Sequence, residues 1–88
     1  MSMKDEFENL LEKLKTERDE IEVRLHLASL DAKEEFEAAE HKWNQIKQKA
    51  AEIADDTIET SEEYIAKAKI VGEELKETYN RIVQRLSH

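Results

Sequence analysis

The chain contains no proline and only one glycine, Gly72, and this shortage of chain-breaking residues constrains its fold more than any other feature. A sheet protein needs a turn every few residues, and turns depend heavily on glycine and proline. Charged side chains make up 41% of the sequence, which suits the solvent-exposed faces of helices. The sequence therefore predicts an all-helical protein.

The small size and modest apolar content predict one thin domain. A chain of 88 residues buries only about 60–65% of the surface that its unfolded form exposes. Hydrophobic residues make up 39% and aromatic residues 6% of the sequence, enough for one apolar stripe on each helix but not for a thick globular core. We expect a single helical coiled-coil domain over residues 1–88.

The acidic charge limits the classes of partner. A net charge of −8 without a basic patch argues against binding to nucleic acid, which relies on clustered lysine and arginine. No stretch approaches the ~20 apolar residues of a membrane span, and the first part of the chain lacks the apolar run of a signal peptide. Cysteine is absent, which removes disulfides and thiolate metal sites. We therefore expect a cytoplasmic protein without integral membrane association.

Apolar residues recur every three or four positions from Phe7 to Ile53. Extra four-residue steps after Leu14 and Ala32 bring the mean repeat between the ~3.5 of a heptad and the ~3.6 of a straight helix. Arg18 is the one charged residue on this stripe. The pattern predicts a long first helix, about residues 3–54, that supercoils weakly.

The last third of the chain keeps an unbroken heptad repeat from Ile58 to Leu86, typical of a coiled coil. Between Ala54 and Ser61 the sequence is rich in Asp, Thr and Ser, which compete with the helix for backbone hydrogen bonds. Thr60 with Glu63 matches a capping box. We predict a turn near residues 55–60 and a second helix, about residues 60–87, that returns as an antiparallel hairpin.

This hairpin predicts which residues pack across its intramolecular seam. A turn near residue 56 places the large indole of Trp43 opposite Gly72, where the absence of a side chain leaves room for it. The predicted seam consists of Trp43, Ile46, Ile65, Ala68, Gly72 and Leu75.

The unequal helix lengths predict a second chain. The first helix would be ~75 Å long and the second only ~40 Å, so half of the first helix would lack an intramolecular partner. Its apolar stripe is too regular to be left in water. We therefore expect a homodimer or higher homo-oligomer, with an interface formed by Phe7, Leu10, Leu11, Leu14 and Ile21.

A second break near residues 29–31 is the alternative. Asp31 with Glu34 resembles a further capping box, and Ser2 with Asp5 follows the same pattern. Against this break, Leu27 and Leu30 would then lie in a connection, where polar residues are usual. If the chain does break there, three helices of similar length would form a monomeric bundle.

No residue pattern matches a catalytic or metal-binding motif. His26 and His41 would lie ~22 Å apart along one helix, so they cannot share an ion within one chain. The acidic cluster of Glu34, Glu35, Glu37 and Glu40 is typical of a solvated helix face, because catalytic carboxylates need a cleft that perturbs their pKa. We expect no enzymatic activity and no cofactor.

The stretch from Leu27 to Phe36, continuing to Lys42 and Trp43, together with Val71 to Lys76, resembles the small coiled-coil proteins of unknown function found in many bacteria. The resemblance covers most of the chain and implies no activity or site residue. We expect a non-enzymatic structural or protein-interaction module with an unidentified protein partner. The alternative is a reversible lipid or apolar-surface binder of apolipoprotein type, which opens to lay its apolar stripes on lipid.

Overall fold

A computed structural model describes residues 2–55 and 57–86, which form three α-helices. They are α1 (Met3–Arg24), α2 (Leu30–Ala54) and α3 (Glu62–Leu86), with a single 3-10 turn at Leu25–Leu27 between the first two. The prediction of an all-helical protein is confirmed. None of the helices in the described part of the chain has the length and apolarity needed to cross a membrane.

A serine caps the start of each helix. The hydroxyl oxygens of Ser2, Ser29 and Ser61 each accept a hydrogen bond from the backbone amide three residues later, at 3.1 to 3.3 Å. Such a cap satisfies an amide that has no partner within the helix. The predicted start after Ser2 is confirmed, whereas the other two helices are capped by Ser29 and Ser61 rather than by the predicted Asp31 and Thr60.

Residues 3–54 contain two separate α-helices, so the prediction of one long helix over this range is wrong. After the 3-10 turn, Ala28 (φ −84°, ψ 162°) and Ser29 (φ −65°, ψ 161°) adopt extended backbone, which interrupts the helical hydrogen bonds. The Ser29 cap then begins α2. The alternative, a three-helix bundle with a break near residues 29–31, is the arrangement observed.

Contacts at both ends show that α1 and α3 run parallel. Near the starts of the two helices, Lys69 Nζ donates to Glu6 Oε2 at 3.1 Å. At their ends, Arg24 reaches the carbonyl oxygen of Leu86 at 3.4 Å. The third helix therefore lies alongside α1 over its whole length.

The second and third helices pack antiparallel to each other, whereas the hairpin predicted from the sequence paired the last helix with one helix over residues 3–54. Phe36 stacks on Tyr79 with ring centroids 6.5 Å apart. Further along, Lys42 Nζ lies 3.5 Å from a carboxylate oxygen of Glu74. These pairs agree with a turn near residues 55–60, because residues from the start of α2 face residues from the end of α3.

The core contains the residues predicted for the hairpin seam and most of those predicted for an oligomer interface. Phe7 is 1% exposed, Leu14 and Ile21 are 0% exposed, and Leu10 is 9% exposed. Leu11 is partly buried against the same cluster. A homodimer was expected because this stripe would otherwise be exposed to water, but α3 of the same chain covers it. The buried seam residues are Trp43, Ile46, Ile65, Ala68, Gly72 and Leu75.

Gly72 makes room for α1 rather than for the indole of Trp43. A Cβ atom at this position would lie 2.8 Å from Leu10 Cδ2 and 3.6 Å from Leu14 Cδ1. The hairpin register predicted Trp43 at this place, but the side chain that occupies it is Leu10 of α1. The predicted hairpin could not include this contact, because it placed Leu10 in the part of one long helix that extended beyond the hairpin.

Candidate functional site

Three large aliphatic side chains are exposed around the connection between α1 and α2, one at the end of α1, one in the 3-10 turn and one at the start of α2. Val23 is 72% exposed, Leu27 85% and Leu30 71%. Connections are usually polar, so exposed aliphatic residues grouped at one connection indicate an interaction surface more strongly than scattered ones do. We call Val23, Leu27 and Leu30 the apolar tip.

Helical periodicity explains why these side chains point away from the core. At the end of α1, Ile21 is fully buried and Leu25 packs against the core cluster. Val23 and Leu27 lie two residues beyond each of these positions, which on a helical turn places them on a different face. Leu30 is the first residue of α2, directly after its cap. The tip therefore results from the helix ends rather than from a distorted core.

A cleft of about 400 Å³ lies beside the apolar tip. Its large apolar lining residues are Val23, Leu27 and, at the end of α3, Leu86. Arg24 and Arg85 also line the cleft. In a chain with a net charge of −8, this end of the bundle thus combines apolar surface with cationic groups.

A partly buried ion pair joins α1 to α2 near the middle of the bundle. Nε and Nη2 of Arg18 donate to the two carboxylate oxygens of Glu40, each at 2.7 Å. The guanidinium carbon of Arg18 lies 5.8 Å from the centre of the Trp43 ring, within the range of a cation–π contact. The hydrogen bonds to Glu40 raise the pKa of Arg18 above its ordinary value, although burial opposes this shift.

Two buried oxygen atoms near this pair have no hydrogen-bond partner among the described residues. They are the hydroxyl of Tyr79, whose side chain is fully buried, and Oε2 of Glu17. Burial raises the pKa of the Tyr79 hydroxyl and also that of the Glu17 carboxyl. Both effects disfavour the charged forms of these groups.

The described histidines and the acidic cluster do not come together in one metal-binding or catalytic site. Within residues 2–55 and 57–86, no three His, Asp or Glu side chains lie close enough to hold a metal ion. His26 and His41 are both exposed. Glu35, from the acidic cluster, forms ion pairs with Arg81 at 3.4 Å and Arg85 at 3.2 Å, so it supports the α2–α3 packing.

A second apolar surface lies between α1 and α2. The third helix packs closely along both of them, whereas α1 and α2 make little contact with each other. They leave an open groove of about 520 Å³, which we call the α1–α2 groove. Its lining residues are Leu11, Lys15, Arg18, Asp19, Trp43, Lys47, Ala50 and Ala51.

The fold defines a small three-helix bundle in which one connection is apolar and one pair of helices is splayed. No family model, no curated protein and no solved structure matches the chain. The resemblance to small bacterial coiled-coil proteins stays a prediction.

Proposed function

We propose that this chain is a non-enzymatic protein-interaction module that binds another protein through its apolar tip. The observation that carries the proposal is the exposure of Val23, Leu27 and Leu30 at one connection. Full burial of an aliphatic side chain of this size provides about 1.5–3 kcal/mol, so a partner that covers the tip gains binding free energy from each of them. Nothing within the described chain covers these side chains.

The cleft beside the tip indicates the chemistry of the partner. An apolar side chain of the partner would fit between Leu27 and Leu86, and an acidic group would suit Arg24. An apolar anchor that fills a pocket, with complementary charge at its edge, is the usual composition of the strongest part of a protein interface.

Two other occupants compete for the tip. A second copy of the chain would extend the predicted homo-oligomer, although the stripe that first suggested it is covered by α3. A lipid surface would also accept aliphatic side chains, as the apolipoprotein-type alternative requires. We favour a protein partner because a net charge of −8 opposes binding to anionic membranes.

The test compares the double variant Leu27→Ser and Leu30→Ser with the control double variant Ile58→Ser and Ile70→Ser. The control residues are exposed aliphatic side chains outside the tip, at 46% and 56% exposure. Circular dichroism first establishes that both variants keep their helices. Affinity isolation from the native cell is then combined with photo-crosslinking from position 27 and, as a control, from position 70.

We expect a specific protein to crosslink from position 27 and not from position 70. In affinity isolation, the tip variant should no longer bind this protein, whereas the control variant should still bind it. A partner captured equally by all forms would contradict the proposal. The proposal would also be contradicted if sedimentation showed a dimer that is lost only in the tip variant. The tip would then be a surface for self-association. Flotation with neutral vesicles that depends on the tip would instead establish lipid binding.

A further inference from the structure

The α1–α2 groove has an apolar lining on the side of the bundle away from α3, since all of its lining residues come from the other two helices. The indole of Trp43 is 6% exposed, and Leu11 is partly exposed on the opposite wall. Ala50 and Ala51 extend the groove with small side chains that leave it open. The groove is therefore a ready-made site for apolar side chains.

Two lysines border the groove, Lys15 on α1 and Lys47 on α2. Arg18 and Asp19 line it as well, but Arg18 is already bonded to Glu40 and lies 3.8 Å from a carboxylate oxygen of Asp19. Within residues 2–55 and 57–86, neither lysine takes part in an ion pair. An occupant of the groove would thus meet an apolar surface with an unneutralised ammonium group on each side.

We infer that the α1–α2 groove binds an amphipathic helix of a partner protein, with an apolar edge flanked by acidic side chains. The wall from Leu11 to Asp19 is ~12 Å long, which matches about two turns of helix. Helices that lie in grooves anchor themselves through apolar residues spaced three, four and seven apart, and this spacing fits such a length. The bound helix would close the gap between α1 and α2 as a fourth member of the bundle.

Charge complementarity selects this occupant. Acidic side chains at the edges of a bound helix would pair with Lys15 and Lys47, whereas a basic helix would be repelled locally. A second copy of the chain is a poor occupant, because its helices already bury their apolar stripes against one another. The inference extends the interaction function to a second surface, and its test does not depend on the apolar tip.

Trp43 provides the measurement, because it is the only tryptophan in the chain and forms part of the groove wall. The probe is a tryptophan-free helical peptide with leucines spaced three and four apart and flanked by glutamates. Its control carries lysine in place of each glutamate. We expect a saturable change in Trp43 fluorescence with the acidic peptide and none with the basic one.

A charge-reversal variant tests the role of the lysines. Lys15→Glu with Lys47→Glu should weaken binding of the acidic peptide about tenfold. Lys13→Glu with Lys33→Glu changes the net charge equally outside the groove and should leave the affinity nearly unchanged. If the first variant loses its helices, Lys15→Gln with Lys47→Gln replaces it. The tip variant Leu27→Ser with Leu30→Ser should bind the peptide normally, which separates this result from the test of the tip.

The inference is overturned if the acidic peptide causes no saturable change, or if both charge-reversal variants weaken its binding equally. Decanoate is the competing probe for an anionic lipid. A fluorescence response to decanoate that needs Lys15 and Lys47, without any response to the acidic peptide, would also overturn it.

Discussion

Arg18 on α1 and Glu40 on α2 are joined by two hydrogen bonds of 2.7 Å, across the pair of helices that make the least contact. Arg18 was the charged interruption in an otherwise apolar stripe. Its position is explained because the guanidinium lies over Trp43 while it bonds to Glu40. With side chains only 22% and 28% exposed, this pair is the principal polar link between α1 and α2.

We expect Arg18→Gln and Glu40→Gln each to lower the free energy of unfolding by about 1–2 kcal/mol, because each leaves a partly buried charge without its partner. A double-mutant cycle measured by urea denaturation should give a coupling energy of similar size. The exposed pair Glu63 and Lys67 is the control, with an expected coupling of about 0.3–0.5 kcal/mol. A coupling for Arg18 and Glu40 no larger than that would contradict the assigned role.

The contact between Gly72 and Leu10 predicts a specific size dependence. Gly72→Val should destabilise the protein by about 1–3 kcal/mol, because its side chain would enter the space held by Leu10. Leu10→Ala should recover part of this loss in a double-mutant cycle, whereas Trp43→Ala should show no coupling. Thermal denaturation of the three single and the two double variants measures both couplings. Coupling to Trp43 instead of Leu10 would mean that the hairpin register alone sets the packing.

The hydroxyl of Tyr79 is buried without a hydrogen-bond partner among the described residues. Because an unpaired buried hydroxyl carries a desolvation cost of about 1–3 kcal/mol, we expect Tyr79→Phe to leave the midpoint of thermal unfolding unchanged or to raise it. Tyr64→Phe is the control, since the Tyr64 hydroxyl donates to Glu52 near the surface. A clear loss of stability in Tyr79→Phe would show that its hydroxyl is bonded in solution.

Burial raises the pKa of the Glu17 carboxyl above its usual value of 4.5, which predicts a pH dependence. The folded state then binds this proton more tightly than the unfolded state, so the group lowers stability above its folded pKa. This penalty disappears as the pH falls below the unfolded pKa. Glu17→Gln should therefore stabilise the protein at neutral pH and lose that advantage below about pH 4.

The exposed neighbour Glu20 provides the control, because Glu20→Gln removes the same charge from α1. Urea denaturation at several pH values should show a larger gain at neutral pH for Glu17→Gln than for Glu20→Gln. Equal effects would mean that the gain comes from the reduced net charge rather than from the burial of Glu17.

The third helix was predictable because one short-range pattern determines it. Of the predicted heptad positions from Ile58 to Leu86, those from Ile65 to Ile82 are buried, whereas Ile58 lies before the helix and is 46% exposed. The turn before it was predictable for a similar reason, since Asp, Thr and Ser favour local hydrogen bonds over helix. The Asp55 carboxylate accepts hydrogen bonds from the amide of Thr57 at 2.9 Å and from its hydroxyl at 2.7 Å.

The break between α1 and α2 was not predicted as the preferred arrangement because the chemistry of the connection is unusual. Leu27 and Leu30 are good helix formers, and their apolar character argued against a loop. In the structure they are exposed at the tip. A residue choice that conflicts with its local surroundings is expected where function rather than stability determines it, and the failed prediction thus coincides with the proposed interaction surface.

The predicted oligomer interface shows a different limit. An apolar stripe such as Phe7 to Ile21 must be covered, but the sequence pattern is the same whether α3 or a second chain covers it. That choice depends on the reversal at Ser29, which brings α3 alongside α1 from the distant end of the sequence. The α1–α2 groove could not be predicted from the sequence either, because it depends on the distance between two helices.

Small-angle X-ray scattering of the 88-residue chain tests most directly whether it folds back on itself as three helices. The bundle has a Cα radius of gyration of 14.1 Å and a long axis of 43 Å. We expect monomeric protein with a radius of gyration close to this value and a maximum dimension near the long axis. A maximum dimension approaching ~75 Å, the length of one uninterrupted helix over residues 3–54, would contradict the three-helix bundle.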